Sequence, residues 1–143
     1  MASPKFVLGL VILIAIFHIL GTIYSWYWII GYFDMLMHFS GGFWLASLFL
    51  FFFLPKITII KYKTFIQAVL TVSFSAFVGV LWEFFEFGLS FFILGDNFSG
   101  FIQHGLPDTL SDLVFDILGG FACFCIYKIF NEKSLKSLNK TDF

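Results

Sequence analysis

The chain alternates between long apolar runs and short polar interruptions. Four runs reach the roughly 20 residues that a helix needs to cross a bilayer: residues 6–28, 33–54, 65–94 and 108–130. Pro55-Lys56 closes the second run and Gly95-Asp96-Asn97 closes the third. Pro107 stands just ahead of the fourth, where proline suits a helix start. The pattern predicts an all-α integral membrane fold, a four-transmembrane-helix bundle within residues 1–130. A polar tail, 131–143, follows it.

Composition removes the alternatives. Hydrophobic residues make up 60% of the 143 positions and charged residues 12%, where average chains carry about 25% charged. A soluble enzyme, a disordered chain and a nucleic-acid binder all fit poorly. Cys123 and Cys125 are two apart on a helix and diverge, so they predict neither a disulfide nor a metal pair. The first run, preceded by Lys5, has some look of a signal peptide. It exceeds 20 residues, however, and no small-x-small cleavage pattern follows it. Ser25-Trp26-Tyr27-Trp28 reads instead as an aromatic belt at the end of a retained span.

Charge sets the orientation. There is no arginine, and the eight lysines are at 5, 56, 61, 63, 128, 133, 136 and 140. Four spans put all of them on one side. The positive-inside rule makes that side cytoplasmic, N-in and C-in. The acids show the opposite bias. Of nine, only Glu132 and Asp142 are cytoplasmic on this reading. Asp34, Glu83, Glu86, Asp96, Asp108, Asp112 and Asp116 fall in the outer half or the outer loop, as does His104. His38 lies one turn below Asp34, and His18 near or just outside the midplane.

Helical spacing groups these residues. Asp34 and His38 are i, i+4; Glu83 and Glu86 are i, i+3; Asp108, Asp112 and Asp116 are i, i+4, i+8. Each set stacks along one helix face. At about 1.5 Å per residue the last set descends roughly 12 Å towards the bilayer centre. Small residues continue the stripes inward: Gly41, Gly42 and Ala46; Gly79, Ala76 and Ser75; Gly119, Gly120 and Cys123. Such residues let membrane helices approach closely. The pattern predicts a bundle tight in its cytoplasmic half and splayed into an outward acidic cup, with His18 in a fourth wall and His104 near the mouth. Asp34 and Asp108 also suit plain roles at helix N-termini, the latter as an N-cap.

A charge at a helix centre costs about 2.5–3.5 kcal/mol on insertion scales and normally pairs or marks function. Six carboxylates and at most three histidines share the cup, with no lysine or arginine near. The acids therefore either hold protons or bind a cation. Mixed carboxylate and imidazole donors suit Mg²⁺, Mn²⁺, Zn²⁺ or non-haem iron. The candidate metal ligands are Asp34, His38, Glu83, Glu86, Asp108, Asp112 and Asp116.

Asp34-Met-Leu-Met-His38-Phe-Ser-Gly-Gly, Trp82-Glu83-Phe-Phe-Glu86 and Asp108-Thr-Leu-Ser-Asp112-Leu-Val-Phe-Asp116-Ile-Leu-Gly together resemble the blocks of the YjdF-like membrane proteins, a family distantly similar to the VanZ-like group. The resemblance covers about residues 32–120. It implies a small helical protein of the prokaryotic inner membrane and no particular reaction.

Three functions compete. One is a metal-dependent membrane enzyme, with Glu83 and Asp112 as catalytic candidates and a lipid or polyprenyl-linked substrate. The lack of a basic residue near the acids leaves phosphate to the metal alone. Another is proton or cation translocation, for which four helices are few unless copies of the chain form a homo-oligomer. The third is a non-catalytic membrane protein whose acids meet a partner's bases. Membrane lipid is an expected partner in each case, and nucleic acid in none.

Overall fold

The computed structural model describes residues 3–56, 64–94 and 105–138. It is helical, with no strand among the described residues. Helix α1 runs over Pro4–Ile23, α2 over Trp26–Ile29, α3 over Phe33–Phe52, α4 over Thr64–Leu89 and α5 over Leu106–Leu138. A π-helical turn, Ser90–Leu94, extends α4. Four of these segments are long and apolar enough to cross a membrane: Pro4–Ile23, Phe33–Phe52, Thr64–Phe92 and Leu106–Asn131. Large apolar side chains such as Ile12, Phe52, Phe77 and Phe121 point outwards from all four. A surface this apolar suits lipid, not water.

Local chemistry sets the helix ends. Ser3 caps α1, its hydroxyl accepting from the Phe6 amide at 3.2 Å, and Pro4 opens the first turn. The first helix does not continue to Trp28, as the apolar run alone suggests. It stops at Tyr24, and Ser25 takes the left-handed conformation (φ 59°), which costs a residue with a Cβ roughly 1–2 kcal/mol. Aromatic packing offsets that cost. Phe33 meets Trp26 and Tyr27 edge-on, at ring separations of 5.4 and 4.8 Å, and covers Gly21. The belt residues thus form a separate short helix, α2. At the other end, α5 begins at Leu106 after Gly105 (φ 95°), so Pro107 and Asp108 both lie in its first turn. Asp108 is not its N-cap. The helix also continues past residue 130, to Leu138.

The centre of the molecule is a three-helix bundle of α3, α4 and α5, with α3 and α5 sharing the largest interface. Glycines make that interface possible. A Cβ at Gly42 would strike the backbone of Asp116, and one at Gly119 would strike the Phe39 carbonyl and the Phe43 amide. Gly120 faces Ser75 of α4 at 2.8 Å from the same virtual atom, and Gly79 faces the Asp116 carboxylate. Ser75 adds a hydrogen bond to the Gly42 carbonyl at 3.0 Å. Below this level Ala46, Leu50, Cys123 and Phe124 form a small apolar core.

Helix α1 packs chiefly on α3. Trp44 Nε1 donates to the Val7 carbonyl at 3.0 Å near one end, and Gly21 rests on Phe33 near the other. Between them an apolar groove opens, lined by Leu13, Phe17, Met37 and Phe43.

Candidate functional site

The three central helices bring their acids to one end of the bundle. Asp34 lies in the first turn of α3 and His38 one turn further in. Glu83 and Glu86 come from the last turns of α4, and Asp108, Asp112 and Asp116 from the first three turns of α5. Two groups place ligand atoms within 4.8 Å of one another: Asp34, His38 and Asp112; and His38, Glu83 and Glu86. Both contain His38. Such a group can hold a metal ion. Asp108 and Asp116 belong to neither.

Burial is steeper than an open cup would give. His38, Glu83, Asp112 and Asp116 are 8, 5, 2 and 3% exposed. Asp34, Glu86 and Asp108 are only partly buried and form the rim. The site is therefore a nearly closed cluster with a polar edge. The small residues produce this closure, because Gly42, Gly79 and Gly119 let α4 and α5 press onto α3 at the level of Asp116.

The polar atoms are partnered unevenly. His38 Nδ1 donates to Asp116 Oδ2 at 3.3 Å, while Nε2 faces Asp34 Oδ1 at 3.9 Å. Trp82 Nε1 donates to Glu86 Oε1 at 2.8 Å, fixing that carboxylate at the rim. The Thr109 hydroxyl bonds to Glu83. Yet Glu83 Oε1 and Asp112 Oδ1 are fully buried and have no hydrogen-bond partner among the described residues. No lysine occurs between positions 63 and 128, so neither α4 nor the first three turns of α5 supply a cation.

Two neighbours of the site carry no charge signal in the sequence. Ser90, four residues beyond Glu86 at the start of the π-helical turn that extends α4, is 3% exposed, and its hydroxyl has no partner among the described residues. Its i+4 spacing from Glu86 is the signal that could have found it. Tyr27, in α2, lies near Asp34 and Glu86. Burial, and then those two carboxylates, hold its phenol above the ordinary range. It therefore remains a donor, and its hydroxyl meets His18 Nδ1 at 2.7 Å. The structure thus places His18 against Tyr27 and outside both ligand groups. His104 and Asp96 lie outside the described residues.

A helical bundle of spanning length with an acid and imidazole cluster at one end defines a polytopic membrane protein. The chain belongs to the family described as "Predicted membrane protein (DUF2238)", whose model matches residues 1–133. The YjdF-like resemblance is consistent with that family; a relation to the VanZ-like group is not shown. The chain is also similar to an uncharacterized protein of Thermotoga maritima, with 31% identity over 117 residues. That alignment covers 80% of this chain and 56% of the relative, so the chain spans little more than half the length of that protein. No solved structure matches.

Proposed function

We propose that this protein binds a divalent cation in its carboxylate and imidazole pocket, and uses it in chemistry on a lipid or polyprenyl-linked substrate at the outer face of the cell membrane. One observation carries the reading. Among the described residues Asp112 Oδ1 and Glu83 Oε1 are buried without partners, in a cluster around His38 that no described lysine enters. An unsatisfied buried polar atom costs about 1–3 kcal/mol, and more when charged. Either oxygen would be paired by a cation held beside His38. Glu83 with Glu86, or Asp112 with Asp34, would hold the ion together with His38, with Glu83 and Asp112 as the candidate catalytic carboxylates, and the ion would supply Lewis-acid activation of water. The rim, Asp34, Glu86 and Asp108, lies at the end of the bundle away from Lys5, Lys56 and Lys128, and the positive-inside rule would make that end external.

Translocation has less support. Past Asp116 the helices touch backbone to backbone at Gly42 and Gly119, which leaves an ion no continuing path.

The test is thermal unfolding in detergent. Binding to the native state alone adds RT ln(1 + [L]/Kd), about 2.7 kcal/mol at a hundredfold excess over Kd. Mn²⁺, Zn²⁺ or Mg²⁺ should raise the midpoint at neutral pH and a chelator should reverse the gain. The gain should shrink as pH falls, because protons compete for the same oxygens and nitrogen. Glu83→Gln should remove most of the response while leaving the fold. Melting indifferent to every divalent ion and to chelator would exclude the cation.

A further inference from the structure

We infer that His38 binds the cation directly through Nε2, that Asp116 is the positioning residue which turns it there, and that the pocket therefore selects a transition ion such as Zn²⁺, Mn²⁺ or Fe²⁺ over Mg²⁺ and Ca²⁺. This rests on the cation reading above and gives it a chemical class.

The argument starts from which atoms are already used. An ionised carboxylate can only accept, so the bond at 3.3 Å between Asp116 and His38 places the imidazole proton on Nδ1. Nε2 is then the basic nitrogen. It points to Asp34, 3.9 Å away, too far for a direct hydrogen bond. Two donors each about 2.0–2.2 Å from a tetrahedral zinc lie roughly 3.3–3.6 Å apart, so this pair would need to close by only a few tenths of an ångström to share an ion. The same imidazole belongs to both ligand groups, so His38 is the donor common to either way of holding an ion. Each side adds a buried carboxylate with an unpartnered oxygen, Asp112 on one and Glu83 on the other.

Asp116 differs from the other acids. It is 3% exposed, lies against Gly42 and Gly79, and is absent from both ligand groups. A carboxylate behind a ligating histidine fixes the ring and makes it a stronger donor. Mg²⁺ and Ca²⁺ prefer an oxygen shell, whereas imidazole suits zinc and iron. The close packing of Gly79 explains why the carboxylate has no freedom to swing into the pocket as a further ligand. Asp34 and Asp112 on one side, or Glu83 and Glu86 on the other, would complete the shell with His38.

The experiment is a titration of the purified, metal-stripped protein with Co²⁺, Zn²⁺ and Mg²⁺ separately, following affinity and the visible Co²⁺ spectrum. The parent should bind Co²⁺ and Zn²⁺ at least a hundredfold more tightly than Mg²⁺. Asp116→Asn should weaken Co²⁺ binding about 10- to 100-fold and shift the Co²⁺ bands. It should leave the Mg²⁺ affinity nearly unchanged, which a general loss of structure would not do. Asp116→Glu should restore part of the Co²⁺ affinity. If Asp116 variants do not fold, His38→Gln decides, because loss of the imidazole should collapse the Co²⁺ to Mg²⁺ preference. Equal affinity for Mg²⁺ and Co²⁺ in the parent, or a Co²⁺ spectrum and affinity untouched by Asp116→Asn and His38→Gln, overturns the inference but leaves a cation site. No binding of any ion to the parent overturns both.

Discussion

The two halves of the α3–α4–α5 bundle use buried polar groups in opposite ways. In the lysine half, Thr71 and Ser75 are fully buried and Ser47 nearly so, and each hydroxyl donates to a backbone carbonyl. Lys128 at that end donates to the Gln67 side chain at 3.3 Å. In the acidic half, Asp112 and Glu83 are equally buried yet keep oxygens without partners. One half is satisfied internally and serves packing. The other keeps unpartnered oxygens among the described residues, which under the proposed function a bound cation would pair. The boundary is the layer of Gly42, Gly79, Gly119 and Gly120 around Asp116.

The layer itself gives the largest expected effect. Gly41 and Gly42 are adjacent, but a Cβ at Gly41 meets nothing within 4 Å, while one at Gly42 strikes the Asp116 backbone. Gly42→Ala should destabilise by about 1–3 kcal/mol or prevent assembly, since backbone cannot yield as a flexible side chain can. Gly41→Ala should be neutral or stabilising by up to about 1 kcal/mol, from helix propensity alone. Thermal melts of the two variants in one detergent check this. Equal midpoints would mean that α3 and α5 do not meet as described.

Asp112→Asn probes the unsatisfied half. Without metal, the amide removes one charge from a group of acids. The metal-free variant should melt at or above the parent, by about 1–2 kcal/mol, if burying that charge carries the ordinary penalty. With saturating Zn²⁺ the order should reverse, because the variant has lost a ligand. An order that stays the same with and without metal would make the two halves alike in kind.

Much of this was legible in the chain. Run length predicted the four spans, and i+4 spacing predicted that Asp112 and Asp116, or Asp34 and His38, share a face. The small-residue stripes predicted close approach, and Gly42, Gly79, Gly119 and Gly120 do meet a neighbouring helix. Gly41 does not, because sequence spacing cannot say which of two adjacent glycines faces the partner. The break at Ser25 was hidden for a similar reason: it follows from Phe33 folding back over Gly21 and Tyr27, a tertiary contact. The distinct position of Asp116 was also hidden. Asp112 and Asp116 look equivalent along the stripe, and it is the contact with His38 Nδ1 that sets Asp116 apart.

The smallest expected effect concerns the satisfied half. Gln67, Thr71, Ser75, Gly79 and Glu83 follow one another at i+4 along α4, a polar stripe running from the lysine end into the acidic pocket. Such a stripe invites a proton-path reading. The bonding argues against it. The Thr71 hydroxyl donates to the Gln67 carbonyl at 2.7 Å, and Ser75 donates to the Gly42 carbonyl, so both protons are committed to backbone. Back-bonding of this kind is how a helix carries Ser and Thr away from water. Thr71→Val keeps the branched shape and removes one hydroxyl, whose carbonyl partner remains available to the helix ladder. The cost should stay within about 0.5–1.5 kcal/mol, the net worth of one hydrogen bond. Metal affinity should not change, because Thr71 lies three turns below Glu83. Proton uptake into vesicles carrying the parent should equal that of empty vesicles and of vesicles carrying the variant. If the parent conducts and Thr71→Val does not, the stripe is a pathway and the division between the two halves fails.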